Sequence, residues 1–395
     1  MSAGPVSVGG MIRLEGVTKE YAAGQAAVDN LTLEAPTGEI TVLVGPSGCG
    51  KTTSLRMINR MIEPTSGRIL IDGQDTAGVS AAKLRRDIGY VIQHAGLFPH
   101  RTVLHNVMTV PRLNGWGRAR AESRAREVLE LVGLPGEFAR RYPGQLSGGQ
   151  QQRVGVARAL AADPSVMLMD EPFSAVDPIA REGLQDDILR LQGELGTTIV
   201  LVTHDIDEAI KLGHRVAVLR QGGVLAQFSS PADLLAHPAN DFVADFVGRD
   251  RGYRALSFQQ ADVPVHPEEP VRVGQPVPRR GDEWVLAVDT EGRPQGWVVP
   301  DEVGEAPIGL EHLHRGGTVA AVDGSLRSLL DAALSSPSGR GVVTREGVLA
   351  GTVRAEEVLS VIQSAPRPDG TSIQGADGTF DAAGGDPVPE PEARR

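Results

Sequence analysis

The sequence is poor in several residue types, and each shortage excludes a class of protein. It has one cysteine in 395 residues, which excludes an intrachain disulfide and a cysteine-based zinc cluster. The nine histidines show no metal-type spacing. Aromatic residues are only 4%, so a core built from the 41% of hydrophobic residues must be mostly aliphatic. Bases number 39 against 50 acids, and this net charge of −11 argues against a nucleic acid partner.

Long apolar runs are also absent. None approaches the roughly 18 residues that a membrane-spanning helix needs. The first ten residues have neither the basic start nor the apolar stretch of a secretory signal. We therefore expect a cytoplasmic protein of roughly two or three domains, which reaches any membrane through a partner.

One glycine-rich stretch, Gly45–Thr53, follows an apolar run, Ile40–Val44, that is typical of a buried strand. A helical pattern follows, with Leu55, Ile58 and Ile62 on one face. Strand, glycine-rich turn and helix are the context of a phosphate-binding loop, where backbone N–H groups converge on an anion. The alternative is a glycine-rich turn that carries a lysine by chance. The candidate nucleotide-binding residues are Gly45, Pro46, Ser47, Gly48, Cys49, Gly50, Lys51, Thr52 and Thr53.

Two acids end a second apolar strand, Val166–Met169. Asp170 is placed to bind Mg²⁺ together with the Thr52 hydroxyl, and Glu171 is placed to polarise an attacking water. Lys51 can reach the β- and γ-phosphates of a nucleotide. Adjacent acids are common at surface turns. They are uncommon behind a fully apolar strand downstream of a phosphate loop.

Three further candidates lie near strand ends. Tyr21 precedes the phosphate loop, where its ring could stack on an adenine or merely pack. Gln93 follows the predicted strand Ile88–Ile92, a position that meets the ligand in nucleotide-binding α/β domains. His204 follows the predicted strand at 198–203 and could contact a γ-phosphate, although a lone histidine there is usually structural.

A second glycine-rich segment opens a predicted helix, Gln151–Ala161, with Ser147 as a plausible N-cap. Such a helix start can also bind an anion. Ser174 and Asp177 lie in a turn just after the two acids. The candidates in the glycine-rich segment are Leu146, Ser147, Gly148, Gly149 and Gln150.

Together these motifs resemble the ATP-binding subunit of ABC transporters over about residues 11–245. The resemblance implies a P-loop NTPase cassette of the α/β class, with a RecA-like core, an antiparallel β subdomain and a helical subdomain at about 97–159. It identifies Gly45–Thr52 as the Walker A loop, Val166–Asp170 as Walker B and Leu146–Gln150 as the family signature. It also makes Glu171 the catalytic glutamate.

The remaining candidates also receive roles from this resemblance. Gln93 is the Q-loop residue, which takes part in catalysis and in Mg²⁺ binding, and His204 is the switch histidine. Tyr21 is the aromatic that stacks on adenine. Ser174 and Asp177 belong to the D-loop.

The resemblance further implies how the subunit works. ATP and Mg²⁺ bind between two cassettes that pair head to tail, so each signature covers the nucleotide on the other chain. One cassette per chain therefore implies a homodimer. The expected partners are membrane permease subunits, contacted near Gln93 and residues 96–100, and indirectly an extracytoplasmic substrate-binding protein. The subunit would lie at the cytoplasmic face of the plasma membrane.

The C-terminal part carries a weak repeat with a spacing of 55 residues, for example Gly292 and Gly347. Each copy predicts strand, turn, strand and an acidic helix start. The pair, at 250–362, resembles a tandem CBS module, a regulatory domain that often binds adenine nucleotides. The first copy is degenerate, because prolines break the stretch where a helix should precede it. Residues 363–395 are predicted to be a disordered tail.

A cassette followed by a CBS pair resembles the ATPase of importers for osmoprotectants such as glycine betaine, choline or proline betaine. The alternative within importers is an amino acid, polyamine or sugar system, although sugar importers carry a β-barrel after the cassette. Soluble ABC ATPases for DNA repair carry coiled coils or zinc modules, which are missing here. Exporter ATPases usually lack an appended module of this sort.

Overall fold

The structure, a computed structural model, divides the chain into two compact units, residues 1–255 and 256–395. The cassette was predicted to end near 245 and the second module to begin near 250, whereas the division falls after a short helix that ends at Ala255. Among the described residues no helix is both long enough and apolar enough to span a membrane. The described residues are 10–21, 24, 26–93, 95–277 and 284–364.

The first unit contains two sheets and a group of helices. Its strands are β1 (Ile12–Glu20), β2 (Ala26–Ala35), β3 (Ile40–Val44), β4 (Ser66–Ile71), β5 (Gln74–Asp75), β6 (Ile88–Val91), β7 (Val166–Asp170), β8 (Thr198–Thr203), β9 (Arg215–Arg220) and β10 (Val224–Ser229). Its helices are α1 (Lys51–Ile58), α2 (Ala81–Asp87), α3 (Val103–Val107), α4 (Thr109–Leu113), α5 (Arg118–Leu131), α6 (Gly148–Leu160), α7 (Pro178–Leu195), α8 (Ile206–Leu212), α9 (Pro231–Ala236), α10 (Asp241–Val247) and α11 (Arg251–Ala255).

The larger sheet has the strand order β10-β9-β3-β8-β7-β6 and is parallel except for β10. Every residue of β3, β7 and β8 is buried, as expected for parallel strands covered on both faces. The carboxyl ends of parallel strands meet at one edge of a sheet. The residues that follow β3, β6, β7 and β8 therefore come together there.

The smaller sheet is antiparallel, with the order β2-β1-β4-β5. Helices α3, α4 and α5 then fill the region between β6 and α6. Helix α5 buries Ala121, Ala125, Val128 and Leu129, the spacing of one helical face. The α/β cassette predicted from the sequence is confirmed, with its antiparallel and helical parts.

Two helix boundaries differ from their predictions. Helix α1 ends at Ile58, so Ile62 does not extend its apolar face, because Arg60 takes a left-handed conformation with φ of 49°. Helix α6 begins at Gly148 rather than Gln151, because Ser147 caps it. The last helix among the described residues, Ala355–Ser364, also runs two residues into the predicted tail. The rest of that tail, 365–395, lies outside the described residues.

The second unit contains two three-stranded sheets of the same design. In each, a parallel pair of strands is followed by an antiparallel hairpin, in the orders β11-β12-β13 and β14-β15-β16. The strands are β11 (Val271–Arg272), β12 (Val285–Val288), β13 (Pro294–Val298), β14 (Val319–Ala321), β15 (Arg340–Arg345) and β16 (Val348–Arg354). The helices are α12 (Pro300–Val303), α13 (Leu326–Ser335) and α14 (Ala355–Ser364).

Equivalent contacts recur at the spacing read from the sequence. Trp297 pairs with His314, and Thr352, 55 positions after Trp297, pairs with His266. Two histidine–glutamate pairs also match this spacing, because their glutamates, Glu302 and Glu357, are 55 positions apart. The rings of His314 and His266 lie 2.9 Å and 2.7 Å from carboxylates of Glu302 and Glu357. Helix α13 precedes the second copy, whereas residues 264–277 before the first copy contain no helix.

Candidate nucleotide-binding site

The loop after β3 has the backbone of a phosphate-binding loop. Gly45, Gly48 and Gly50 have φ of 156°, 76° and 102°. A Cβ on Gly50 would lie 2.3 Å from the carbonyl oxygen of Ala27, so only glycine fits. Gly50 also gives α1 no side-chain cap, which leaves the amides of the first turn available to an anion.

Lys51 lies inside the curl of this loop and is only 6% exposed. Its amine donates hydrogen bonds to the carbonyl oxygens of Gly45 at 2.7 Å and Pro46 at 3.0 Å. A cation is thus held beside the amides that face an incoming phosphate. Cys49 is fully buried in the core around α1.

Thr52 and Asp170 meet where β7 ends. The Thr52 hydroxyl donates a hydrogen bond of 2.9 Å to the Asp170 carboxylate, which is 7% exposed. Burial raises the pKa of Asp170, and the bond from Thr52 and the charge of Arg56 oppose that shift. Hydroxyl and carboxylate oxygens are the ligands that Mg²⁺ prefers, so this pair fits the metal. The described residues contain no cluster of three or more His, Cys, Asp or Glu for a metal, so phosphate oxygens would have to complete the shell.

Gln93, Glu171 and His204 come together, although each follows a different strand. The Gln93 amide donates to one carboxylate oxygen of Glu171 at 3.2 Å, and Nδ1 of His204 lies 3.4 Å from the other. Glu171 has a φ of 45°, and its N–H donates to the carbonyl oxygen of Val202. This turn directs the carboxylate toward the sheet edge where the phosphate loop also lies. A carboxylate in that position can accept a proton from water.

Tyr21 follows β1 at the end of a β hairpin that approaches the phosphate loop. Glu20 pairs with Ala26, and the next residue, Ala27, contacts Gly50. The Tyr21 ring is 61% exposed, and the amine of Lys19 lies 5.3 Å from its centroid. A ring that exposed does not pack into the core, so one face is available for stacking.

The signature segment forms a helix cap rather than part of the phosphate loop. Ser147 and Gln150 exchange hydrogen bonds in a capping box. A Cβ on Gly148 would lie 2.8 Å from the carbonyl oxygen of Ala175. The signature segment therefore packs closely against the turn between Ser174 and Asp177. Within the described residues no hydrogen bond joins 146–150 to 45–53. Within one chain, the signature segment and the phosphate loop are therefore not joined by hydrogen bonds among the described residues.

Ser174 and Asp177 also have local structural partners. The Ser174 hydroxyl donates to the carbonyl oxygen of Glu171 at 3.0 Å, and the Asp177 carboxylate caps α7 by accepting from Ala180. These bonds fix the turn that follows Glu171. The sequence placed both residues in this turn but did not indicate their hydrogen bonds.

Sequence reasoning missed a buried pair behind His204. The Thr203 hydroxyl donates at 2.5 Å to Glu208, which is 7% exposed, and accepts from the N–H of Asp205. The pair fixes the turn that presents His204. Burial raises the pKa of Glu208, and the bond from Thr203 opposes that shift. The only signal in the sequence was an acid on the inner face of a short helix.

Comparison with known proteins identifies the family. A family profile described as ABC transporter matches residues 28–174. The osmoprotectant import ATP-binding protein OsmV of Salmonella typhimurium strain LT2 is 45% identical over 370 residues, which are 90% of this chain and 97% of that protein. The chain belongs to the ATP-binding proteins of ABC transporters. This ABC protein matches the glycine betaine uptake system ATP-binding protein YehX of Escherichia coli K12 at 50% identity, over 66% of this chain and 84% of that one.

Other relatives match a shorter part of the ABC protein. The glycine betaine/carnitine/choline transport ATP-binding protein OpuCA of Bacillus subtilis is 52% identical over 241 residues, 61% of this chain and 63% of that one. A solved structure of the ATP-binding cassette MJ0796, a dimer bound to ADP and Pi, superposes with a TM-score of 0.52. It is 37% identical and covers 56% of this chain and 98% of that one. The ABC protein is therefore an ATP-binding cassette ATPase.

Proposed function

We propose that the ABC protein hydrolyses ATP to drive import of a quaternary-amine osmoprotectant such as glycine betaine, choline or proline betaine. The observation that carries the hydrolytic part is the cluster of Gln93, Glu171 and His204 at the edge of the sheet where Thr52 and Asp170 meet. The substrate class is supported by relatives whose names refer to osmoprotectant and glycine betaine uptake, one of them aligned over nearly its full length. An importer of amino acids, polyamines or sugars is the alternative.

In this proposal each side chain has a distinct task. Lys51 and the amides of the phosphate loop bind the β- and γ-phosphates, and Tyr21 stacks on the adenine. Thr52, Asp170 and Gln93 hold Mg²⁺, which supplies positive charge to the phosphate oxygens. Glu171 accepts a proton from the attacking water, and His204 contacts the γ-phosphate.

The site is completed by a second chain. The signature segment, Leu146–Gln150, covers the nucleotide of the partner cassette, which agrees with its separation from the phosphate loop in one chain. Closure of the homodimer moves membrane permease subunits through the surface near Gln93, and hydrolysis reopens it. The protein lies at the cytoplasmic face of the plasma membrane, and a substrate-binding protein delivers the solute from outside.

The second unit regulates transport as a tandem CBS-like module. Its two sheets have the same strand order, and each has a histidine–glutamate pair whose glutamate, Glu302 or Glu357, lies at the repeat spacing. Deletion of the second unit, residues 256–395, should leave ATPase activity within a few-fold and change how transport in proteoliposomes responds to salt or adenine nucleotides. Identical responses in the truncated and full-length complexes would leave only a role in stabilising the dimer.

Uptake into proteoliposomes tests the substrate class. The ABC protein is reconstituted with its membrane permease, and ATP-dependent accumulation of labelled glycine betaine and choline is compared with that of an amino acid, a polyamine and a sugar. The Lys51→Ala protein serves as the control without hydrolysis. Accumulation of the quaternary amines alone supports the proposal, and accumulation of another solute class in their place refutes it.

A further inference from the structure

The loop that carries Gln93 has an unusual backbone just beyond that residue. Ala95 and Gly96 both take left-handed conformations, with φ of 52° and 53°. Such a conformation costs free energy for alanine, so the surrounding structure must compensate for it. Ala95 is buried, with 2% of its surface exposed, although it belongs to a loop. The shape of this loop is therefore imposed by what packs against it.

Arg158 on α6 binds this part of the loop directly. Its two terminal nitrogens donate hydrogen bonds to successive carbonyl oxygens, to Ala95 at 2.6 Å and to Gly96 at 2.7 Å. A planar guanidinium can span two acceptors in this way, whereas a lysine amine cannot match the fork. Burial lowers the pKa of Arg158, and no carboxylate pairs with it among the salt bridges of the described residues.

Two other residues of α6 reinforce the attachment. The Gln152 amide lies 3.4 Å from the carbonyl oxygen of Ile92, the residue before Gln93. Gly155 lets the helix approach closely, because a Cβ there would lie 3.3 Å from the Cβ of Ala95. The loop is therefore attached to α6 on both sides of Gln93.

Helix α6 begins at the signature, where Ser147 caps it, and runs without a break to Leu160. A helix of this length moves as a stiff rod. We propose that Arg158 is a positioning residue that fastens the Gln93 loop to the signature helix, so that the two parts of the shared ATP site change position together. The inference rests on the proposed role of Gln93 at the nucleotide. When Gln93 moves toward a bound nucleotide, the signature end of α6 then moves toward the partner's nucleotide.

Steady-state kinetics of the full-length chain test the proposal. In Arg158→Ala, binding of a fluorescent ATP analogue to the phosphate loop should be unchanged, while kcat falls by about tenfold, within the usual range of coupling between sites. Arg158→Lys should recover part of the loss because it can still donate to one carbonyl. Arg153→Ala is the matched control, since Arg153 on the same helix donates to the carbonyl oxygen of Val132 and pairs with Asp187 on α7, and makes no bond to the described residues of the loop. Wild-type kcat in Arg158→Ala, or an equal loss in the control, would overturn the proposal.

A second variant separates positioning from stability. Gly155→Ala should strengthen α6, since alanine favours helices, yet its Cβ should displace Ala95 and lower kcat. A stable Gly155→Ala protein with wild-type kcat contradicts the proposal, even where Arg158→Ala does not fold.

Gln93→Ala separates failure of the proposed role of Gln93 from failure of the coupling through Arg158. If it keeps full activity, the proposed role of Gln93 fails. If it is impaired while Arg158→Ala and Gly155→Ala are not, only the coupling through Arg158 fails.

Discussion

At the scale of single residues, Gln93, Glu171 and His204 were predictable because each comes just after an apolar strand. The structure brings Gln93, Glu171 and His204 within hydrogen-bond or ion-pair distance, as the order of their strands requires. The supporting residues were not predictable. Arg158 and Glu208 act through backbone and buried contacts that no motif of the sequence indicates.

Lys51→Ala tests the phosphate loop. It removes the cation held by the carbonyl oxygens of Gly45 and Pro46, so ATP turnover should fall by roughly 10²–10³-fold, the effect of losing one preorganised electrostatic group. Turnover is measured as phosphate release by the purified protein. Lys83→Ala removes an exposed lysine on α2 outside the loop and should keep normal turnover. Wild-type turnover in Lys51→Ala would refute the assignment.

Glu208→Gln tests the buried acid behind His204. Because burial raises the pKa of Glu208, the folded state binds its proton more tightly than the unfolded state. The free energy of unfolding should therefore fall as pH rises from the ordinary glutamate value through the raised one. The fall is about 1.4 kcal/mol for every tenfold difference in proton affinity between the folded and unfolded states. Glutamine keeps an oxygen for Thr203 but does not titrate, so its curve should be flatter.

Denaturant unfolding of the nucleotide-free chain across that pH range gives the comparison. Glu130→Gln, an exposed glutamate on α5, controls for loss of one charge. Parallel curves for wild type and Glu208→Gln would show that the buried carboxyl does not titrate differently on unfolding.

At the scale of elements, the apolar strands that lead to the phosphate loop, to Glu171 and to His204 were predicted where the structure has them. The ends of helices were less predictable, since α1 stops where one arginine takes a left-handed turn and α6 starts where a serine side chain caps it. These helix ends depend on the conformation or hydrogen bonding of a single residue, which hydrophobic periodicity does not indicate.

The glycines of the hairpins in the second unit should differ in how much stability is lost when each is replaced by alanine. Gly351 has a φ of 154°, and a Cβ there would lie 2.4 Å from the carbonyl oxygen of His266. Gly351→Ala should therefore lower stability by about 1–3 kcal/mol, the usual cost of overpacking. Gly347→Ala, with φ of 81° but nothing within 4 Å, measures the backbone strain alone. Thermal unfolding of both variants gives the comparison, and an equal loss would exclude a role for the close approach.

At the scale of the whole molecule, the family could be predicted from the motifs of the first unit, and the comparisons confirm it. The 55-residue repeat could be recognised in the sequence because its turns need glycine, with positive φ, at matching positions. The contacts that join the two copies could not be predicted, because His266 and His314 come from segments without a helical or strand pattern.

The shared site is the central claim, and Glu171→Gln tests it most directly. Glutamine keeps the size of the side chain but cannot take a proton from water, so ATP should bind and not be hydrolysed. Size-exclusion chromatography with ATP and Mg²⁺ should then show a dimer with trapped nucleotide, and removal of ATP should return it to the monomer. A Glu171→Gln protein that binds ATP and stays monomeric would contradict a site completed by the partner's signature.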